Sequence, residues 1–188
     1  MKCFLMYSLV ATYRARLKDL FMLIRPAISA DLPRIVDIWA PVIRDTTITF
    51  SSELRSVQMV ADLIEKRRAA GREFFVAERE TETASPVIGF ASYDQFRSGN
   101  GYLHAMEHTI ILAPEGRGGG AGRALMAAVN DHASAAGAHT MVAAIDGDNV
   151  AAQAFHAAVG FEHVGRLPQS GRKFDRWLDL VLMQKIIG

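Results

Sequence analysis

Apolar positions along this chain recur with two periods, and the switches between them mark out the elements. Leu23-Ile24-Arg25 predicts a short first strand, and Ala30-Asp31-Leu32-Pro33 then places an Asp at a cap and a Pro just inside a helix that runs to about Arg44. Within that stretch Leu32, Ile35, Val36, Ile38, Trp39, Val42 and Ile43 recur at three and four, giving it one buried face. A hydroxyl-rich loop, Asp45 to Phe50, leads to a second helix over about 56 to 70. The period then shortens. Phe74-Phe75-Val76-Ala77 and Val87-Ile88-Gly89-Phe90-Ala91 are strands, joined by a polar hairpin link holding Thr81, Glu82, Thr83, Ser85 and Pro86. A third strand covers roughly Tyr102 to Leu112, followed past Pro114 by a glycine-dense turn and a helix from about Gly120 to Ala136. A strand over Thr140 to Ile145, a helix from about Asn149 to Val159 closed by Gly160, and strands at about 161 to 167 and 174 to 184 complete the chain. Three adjoining strands suit hairpin connections, so the order predicts an α/β fold of the α+β type: a mixed, mostly antiparallel sheet of about seven strands flanked by about four helices.

A chain of 188 residues suits one domain with a real core, and a composition half hydrophobic and about a fifth charged is that of a soluble globular protein. Residues 1–21 read as an extension to a domain spanning 22–188. MKCFLMYSLVA is short, is followed by Arg14, Arg16 and Lys18, and lacks a clean small-residue cleavage site. No apolar run approaches the roughly 20 residues of a membrane-crossing helix, so no membrane partner is expected. The net charge of +1, from 21 basic and 20 acidic residues, creates no global field for nucleic acid, and any anion site must be local. The single cysteine, Cys3, cannot close an intrachain disulfide, which suits the cytoplasm. None of the six His belongs to a cluster with metal-ligand spacing, so no metal is expected.

The strongest chemical signal is Glu115-Gly116-Arg117-Gly118-Gly119-Gly120-Ala121-Gly122, which joins an apolar strand directly to an Ala-rich helix. Such a turn aims unpaired backbone N–H groups at one point, at the positive end of the helix dipole, where a phosphate fits. Arg117 or Arg123 adds charge for a diphosphate. A P-loop is excluded, because Ala121-Gly122-Arg123 stands where Gly-Lys-Ser/Thr is required. The dinucleotide pattern GxGxxA is met at Gly116, Gly118 and Ala121, with Asp146 ending the next strand as a ribose ligand, though only 42 residues follow it to complete a doubly wound sheet. The pattern Arg/Gln-x-x-Gly-x-Gly/Ala is met by Arg117, Gly120 and Gly122.

On this last pattern the chain resembles the GNAT superfamily of N-acetyltransferases from about Met22 to Lys185. A second motif supports it at the right separation: Asn149 to His156, then Gly160-Phe161, similar to the family's Asn, helix, Tyr or His, and Gly-Phe. Within the superfamily the chain looks like phosphinothricin and methionine sulfoximine acetyltransferases. The residues that carry this are Ile24-Arg25-Pro26-Ala27, Asp45 to Phe50, Ala91-Ser92-Tyr93, Met106-Glu107-His108-Thr109 and Arg172 to Asp179. The resemblance implies acetyl-CoA as co-substrate, with its diphosphate on Arg117, Gly118, Gly119, Gly120, Ala121, Gly122 and Arg123 and its arm against Ile110, Ile111, Leu112 and Asn149. It also implies a sheet splayed beside the turn, direct transfer in a ternary complex, and a small-molecule amine acceptor; a homodimer is expected.

Aminolysis of a thioester needs a neutral amine, a stabilised oxyanion and a proton for the departing thiolate. The resemblance places Glu107 near the substrate amine as the candidate general base and His156 near the coenzyme sulfur as the candidate acid, and it implies a strand N–H of Ile110 or Ile111 for the oxyanion. By strand alternation His108 points away from whatever Glu107 faces. Arg97 is the candidate for an acceptor carboxylate, and Phe50 and Tyr102 for the pocket wall. Leu103 and Leu178 depart from the polar residues found in related enzymes. Three alternatives stay open: a non-catalytic acyl-CoA-binding module, a nucleotide-dependent oxidoreductase fragment, and acetylation of a protein N-terminus or lysine.

Overall fold

The computed structural model describes residues 22–79 and 86–188; the N-terminal extension with Cys3, and all but Pro86 of the expected hairpin link, lie outside the described residues. In chain order the elements are β1 (Met22–Pro26), α1 (Leu32–Asp45), α2 (Val57–Ala69), β2 (Phe74–Arg79), β3 (Val87–Gln95), β4 (Ala105–Leu112), α3 (Ala121–Ala135), β5 (Thr140–Asp146), α4 (Val150–Ala158), β6 (Glu162–Lys173) and β7 (Arg176–Ile186). They build a seven-stranded sheet in the order β1-β2-β3-β4-β5-β7-β6. Every neighbouring pair is antiparallel except β4 with β5. The mixed, mostly antiparallel sheet expected from the element order is therefore present, and it removes the dinucleotide alternative, which needs a doubly wound parallel sheet rather than the single parallel pair found here.

Helix starts are set by local chemistry. Ser56 caps α2, its hydroxyl accepting the Met59 N–H at 3.1 Å, and Asn149 caps α4, accepting the Ala152 N–H at 3.0 Å. Asp31 stands at the cap of α1 but its side chain serves elsewhere. It accepts the Ile28 N–H at 2.7 Å and takes both Arg25 guanidinium nitrogens at 2.7 and 2.9 Å, binding the end of β1 to the start of the helix.

Several strand boundaries differ from the sequence expectation; β3, for one, runs on to Gln95. The next strand, β4, begins at Ala105 rather than Tyr102, because Asn100–Tyr102 forms a short 3₁₀ turn beyond the sheet. β6 runs on to Lys173 through Pro168 and Gly171, absorbing them with register shifts against β7 between His163 and Gly165 and between Leu167 and Gly171. As the edge strand, β6 has no second neighbour whose ladder a proline would break.

Strands β2 and β3 are buried on both faces, hence their continuous apolar runs. One core layer packs Phe74, Val76, Phe90 and Ile111 against α1 and α2; the other packs Phe75, Ile88, Ala91 and Met141 against α3 and Phe161. Phe90 is the centre of the first layer, wholly buried, with its ring 5.2 Å from that of Phe74 and 4.9 Å from that of Trp39. We expect Phe90→Ala to lower unfolding free energy by about 3–5 kcal/mol in urea titrations, the range for deleting a buried aromatic ring. A loss under about 1 kcal/mol would show that the layer collapses around the cavity or is not cohesive.

Candidate active site

The parallel pairing of β4 with β5 covers only Ala105↔Thr140, Met106↔Met141 and Glu107↔Val142. Beyond Glu107 the strands part, while β4 stays paired with β3 as far as Gly89↔Leu112 and β5 stays paired with β7 as far as Asp146↔Leu180. Backbone groups alternate in direction along a strand. The Ala105 carbonyl and the Ala113 N–H both bond toward the β3 side, so Ile111 N–H points there too, and the N–H groups of His108, Ile110 and Leu112 face the gap. Of the two oxyanion donors left open by the sequence, Ile110 has its N–H on the open edge.

A cavity of about 530 Å³ lies on one side of this gap. Its wall includes Ile110, Ile111, Leu112, Asn149 and Phe155, and every residue of the turn from Arg117 to Arg123 except Gly119, which packs on the Arg79 guanidinium. Among the described residues no acceptor takes the backbone N–H groups of residues 118–123, the free end of α3. Gly118 and Gly120 hold φ of +75° and +85°, and a Cβ on either would project into open space rather than protein. Gly122 lets α3 approach Phe155, whose ring carbons would lie 3.1 and 3.2 Å from an added Cβ. Exposed Arg117 makes no ion pair among the described residues, whereas Arg123 donates to the Ala158 carbonyl at 3.3 Å. A cradle of free N–H groups with glycine α-carbons on its surface and a cation at its rim fits a diphosphate, and the apolar strand edge leading inward fits a pantetheine arm.

A second cavity, about 420 Å³, adjoins the first along Ile48, Ile110, Ile111 and Asn149. Glu107 stands in it, half-buried and free of hydrogen bonds among the described residues. Burial raises the Glu107 carboxyl above the ordinary glutamate value, against an opposing pull from Arg67, while Asp94 pushes it further up. Arg67 is itself engaged by the Tyr93 carbonyl and by Asp94 at 3.4 Å, and Arg72 also pairs with Asp94. The loop from Asp45 to Phe50 roofs the cavity. Thr46 donates to the Val42 carbonyl at 2.7 Å, Thr47 to buried Asp146, and Lys173 to the Thr49 carbonyl at 2.7 Å, while Phe50 sits against Gly171 of β6.

His156 is buried at the floor of the gap, and its Nδ1 donates to the Ala152 carbonyl at 2.7 Å. Its Nε2 lies 3.1 Å from Nε2 of buried His108, so in the neutral pair His108 donates and His156 accepts. Burial, then the neighbouring His156, pushes His108 down to about 3, and burial also lowers His156. Both ring nitrogens of His156 are thus engaged within the protein. As alternation implies, Glu107 and His108 lie on opposite faces of β4, the latter stacked on His156 with ring centroids 5.0 Å apart.

Phe50 lines the second cavity as expected, but Arg97 and Tyr102 do not. The β3–β4 hairpin carries them past the end of the sheet, where both are exposed and the Arg97 guanidinium lies 5.7 Å from the Tyr102 ring centroid. Residues that the sequence did not point to for the acceptor pocket stand on the wall: Trp39, Arg55 and Asp146, the last read from the sequence only as a ribose ligand. Trp39 was legible only as part of a helix face, and Arg55 only as one charge before a cap.

A splayed sheet, a phosphate-cradling turn on one side of the gap and a raised carboxyl on the other define an acyltransferase that takes its acyl group from a coenzyme A thioester. The acetyltransferase (GNAT) family model matches residues 39–161, and the chain belongs to that family. A methionine sulfoximine/methionine sulfone acetyltransferase of Pseudomonas aeruginosa is 37% identical over 161 residues, covering 86% of this chain and 92% of that protein. A phosphinothricin acetyltransferase of Sinorhizobium meliloti, solved in complex with acetyl-CoA, matches with a TM-score of 0.82 and 32% identity over 89% of each chain. A ribosomal-protein-alanine N-acetyltransferase of Brucella melitensis matches with a TM-score of 0.81 and 38% identity, over 87% of this chain and 99% of that one. The protein is an N-acetyltransferase with acetyl-CoA as its co-substrate. Among the described residues no group of His, Cys, Asp and Glu is placed to hold a metal ion, and no helix is long and apolar enough to cross a membrane.

We expect Gly120→Val to weaken acetyl-CoA binding by tenfold or more in calorimetry with the fold intact by circular dichroism. The branched side chain opposes the left-handed backbone and projects where the diphosphate would lie. Unchanged affinity would remove the turn from the donor site.

Proposed function

We propose that this enzyme acetylates the α-amino group of a small amino-acid-like acceptor of the methionine sulfoximine or phosphinothricin type, by direct transfer in a ternary complex. The observation that carries the proposal is the meeting of two cavities along Ile48, Ile110, Ile111 and Asn149, with Glu107 in the second. Donor and acceptor can occupy them together, so no acyl-enzyme is needed. The names of the Pseudomonas and Sinorhizobium relatives support the acceptor class.

Acetyl-CoA supplies an activated acyl carbon. An α-ammonium is mostly protonated at neutral pH and has no lone pair for attack, so a base must first take a proton. Glu107 has both carboxylate oxygens free of internal bonds, and a carboxyl raised by burial is a better proton acceptor than an ordinary one. As the new N–C bond forms and the C–S bond breaks, negative charge moves first to the carbonyl oxygen, where the Ile110 N–H on the open edge would meet it, and then to sulfur. With His156 engaged by Ala152 and His108, the proton that neutralises the thiolate comes from Glu107 through water or from solvent. The His pair shapes the floor of the gap and stays neutral there. Phe174 and Trp177, exposed near the tip of the β6–β7 hairpin, support a homodimer.

We expect L-methionine sulfoximine to be acetylated far better than peptides with free N-termini. Glu107→Gln should lower kcat by about 10²- to 10⁴-fold with acetyl-CoA affinity nearly unchanged. Because Glu107 must be deprotonated and its carboxyl is raised, kcat/KM should climb with pH along an acid limb centred above the ordinary glutamate range, and that limb should vanish in the variant. A loss of less than a few-fold would count against Glu107, and activity confined to peptides would overturn the acceptor assignment.

A further inference from the structure

Among the described residues, one cation on the wall of the acceptor cavity, Arg55, has no acceptor. Nearby, Lys173 is bonded to the Thr49 carbonyl, and Arg67, whose Nε is also without a partner, is bonded to the Tyr93 carbonyl and paired with Asp94. Arg55 lines the same wall as Glu107, yet among the described residues its guanidinium has neither a hydrogen-bond acceptor nor a carboxylate. Its Nε is shut off from solvent with no partner. The group is nevertheless held in place, with Cζ 4.5 Å from the centroid of the Trp39 ring, and Trp39 is fixed in turn by Phe90. A stacked guanidinium keeps its edge and its N–H fork free for a planar anion. Immediately after Arg55 the cap Ser56 starts α2, which fixes the backbone from which the side chain leaves.

We propose that Arg55 is the specificity-determining residue that binds the carboxylate of the acceptor, while Glu107 serves its amino group. A buried N–H without an acceptor costs the free protein stability, and a bound carboxylate relieves that cost while forming charge-assisted bonds. An amine lacking the carboxylate leaves the fork unsatisfied, so discrimination arises from the empty site as well as from the filled one. Both charges of an amino acid then find opposite charge inside the cavity, and exposed Arg97 is not required.

The proposal rests on the amino-acid acceptor argued above, and the test separates the two. Steady-state kinetics with L-methionine sulfoximine and with its decarboxylated amine are compared for the wild type, Arg55→Ala, Arg55→Lys and Arg97→Ala. The wild type should prefer the acid. Arg55→Ala should raise KM for the acid and cut the acid-over-amine ratio of kcat/KM by about tenfold to a hundredfold, the scale of a charge-assisted hydrogen bond, with little change for the amine or for acetyl-CoA. Arg55→Lys, which keeps a cation over Trp39 without the fork, should fall between, and it carries the test if the alanine variant does not fold. Arg97→Ala should keep the wild-type ratio. A wild type that prefers the acid beside an Arg55 variant that still does so would overturn the role of Arg55 and leave the amino-acid assignment standing. A wild type without preference would overturn both.

Discussion

The structure depends on one interrupted ladder. β4 and β5 are the sheet's single parallel pair, and they share only three residue pairs before they separate after Glu107 and Val142. Separation is tolerable because each strand has a complete partner on its other side, β3 for β4 and β7 for β5, so two antiparallel halves stand without the seam. What remains is an edge of unpaired backbone donors and acceptors inside the protein. Unpaired polar groups cost about 1–3 kcal/mol each where they are buried, so a ligand's amides and carbonyls gain by docking in the gap.

Both substrate sites follow from that gap. β4 ends in Leu112, and the turn that follows starts α3 on the same opening, so free N–H groups of the helix and of the strand edge line a continuous path. On the other face of β4, Glu107 is the last paired residue, one step before the strands part, and is placed beside the acyl path without lying in it. The parity of a strand separates the chemistry: odd positions 107 and 111 share the face of α1 and α2, and even positions 108 and 110 share the face of α3. The two faces of β4 meet at the gap, where Ile110 and Ile111 line both cavities.

The electrostatics of the acceptor cavity have the same economy. Asp94 neutralises Arg67 and Arg72, Lys173 closes the roof through Thr49, and Asp146 holds Thr47, so these charges are consumed in keeping the loop and α2 in place. Among the described residues that line the cavity, the charges of Glu107 and Arg55 are left with neither an ion pair nor a hydrogen bond, one of each sign. A buried pair of neutral imidazoles, His108 and His156, completes the floor without adding charge.

Much of this was legible in the sequence because it is local. Hydrophobic period marks strands and helices, a glycine-dense turn between strand and helix marks an anion cradle, and Asn149 and Ser56 cap helices through bonds three residues long. Glu107, Phe50 and the turn were singled out through such patterns and the family resemblance, and Glu107, Phe50 and most of the turn line the two cavities. Tertiary structure decided what rests on contacts far apart along the chain. Thr47 meets Asp146 across 99 residues, His108 meets His156 across 48, and Arg55 stacks on Trp39 from another element. Such contacts set the proton positions of His156, carried Arg97 out on a hairpin tip while Arg55 turned inward, and chose Ile110 over Ile111 at the gap. The physical reason is that period and propensity are properties of a segment, whereas burial, protonation and the direction of an unpaired N–H are properties of whatever packs against it.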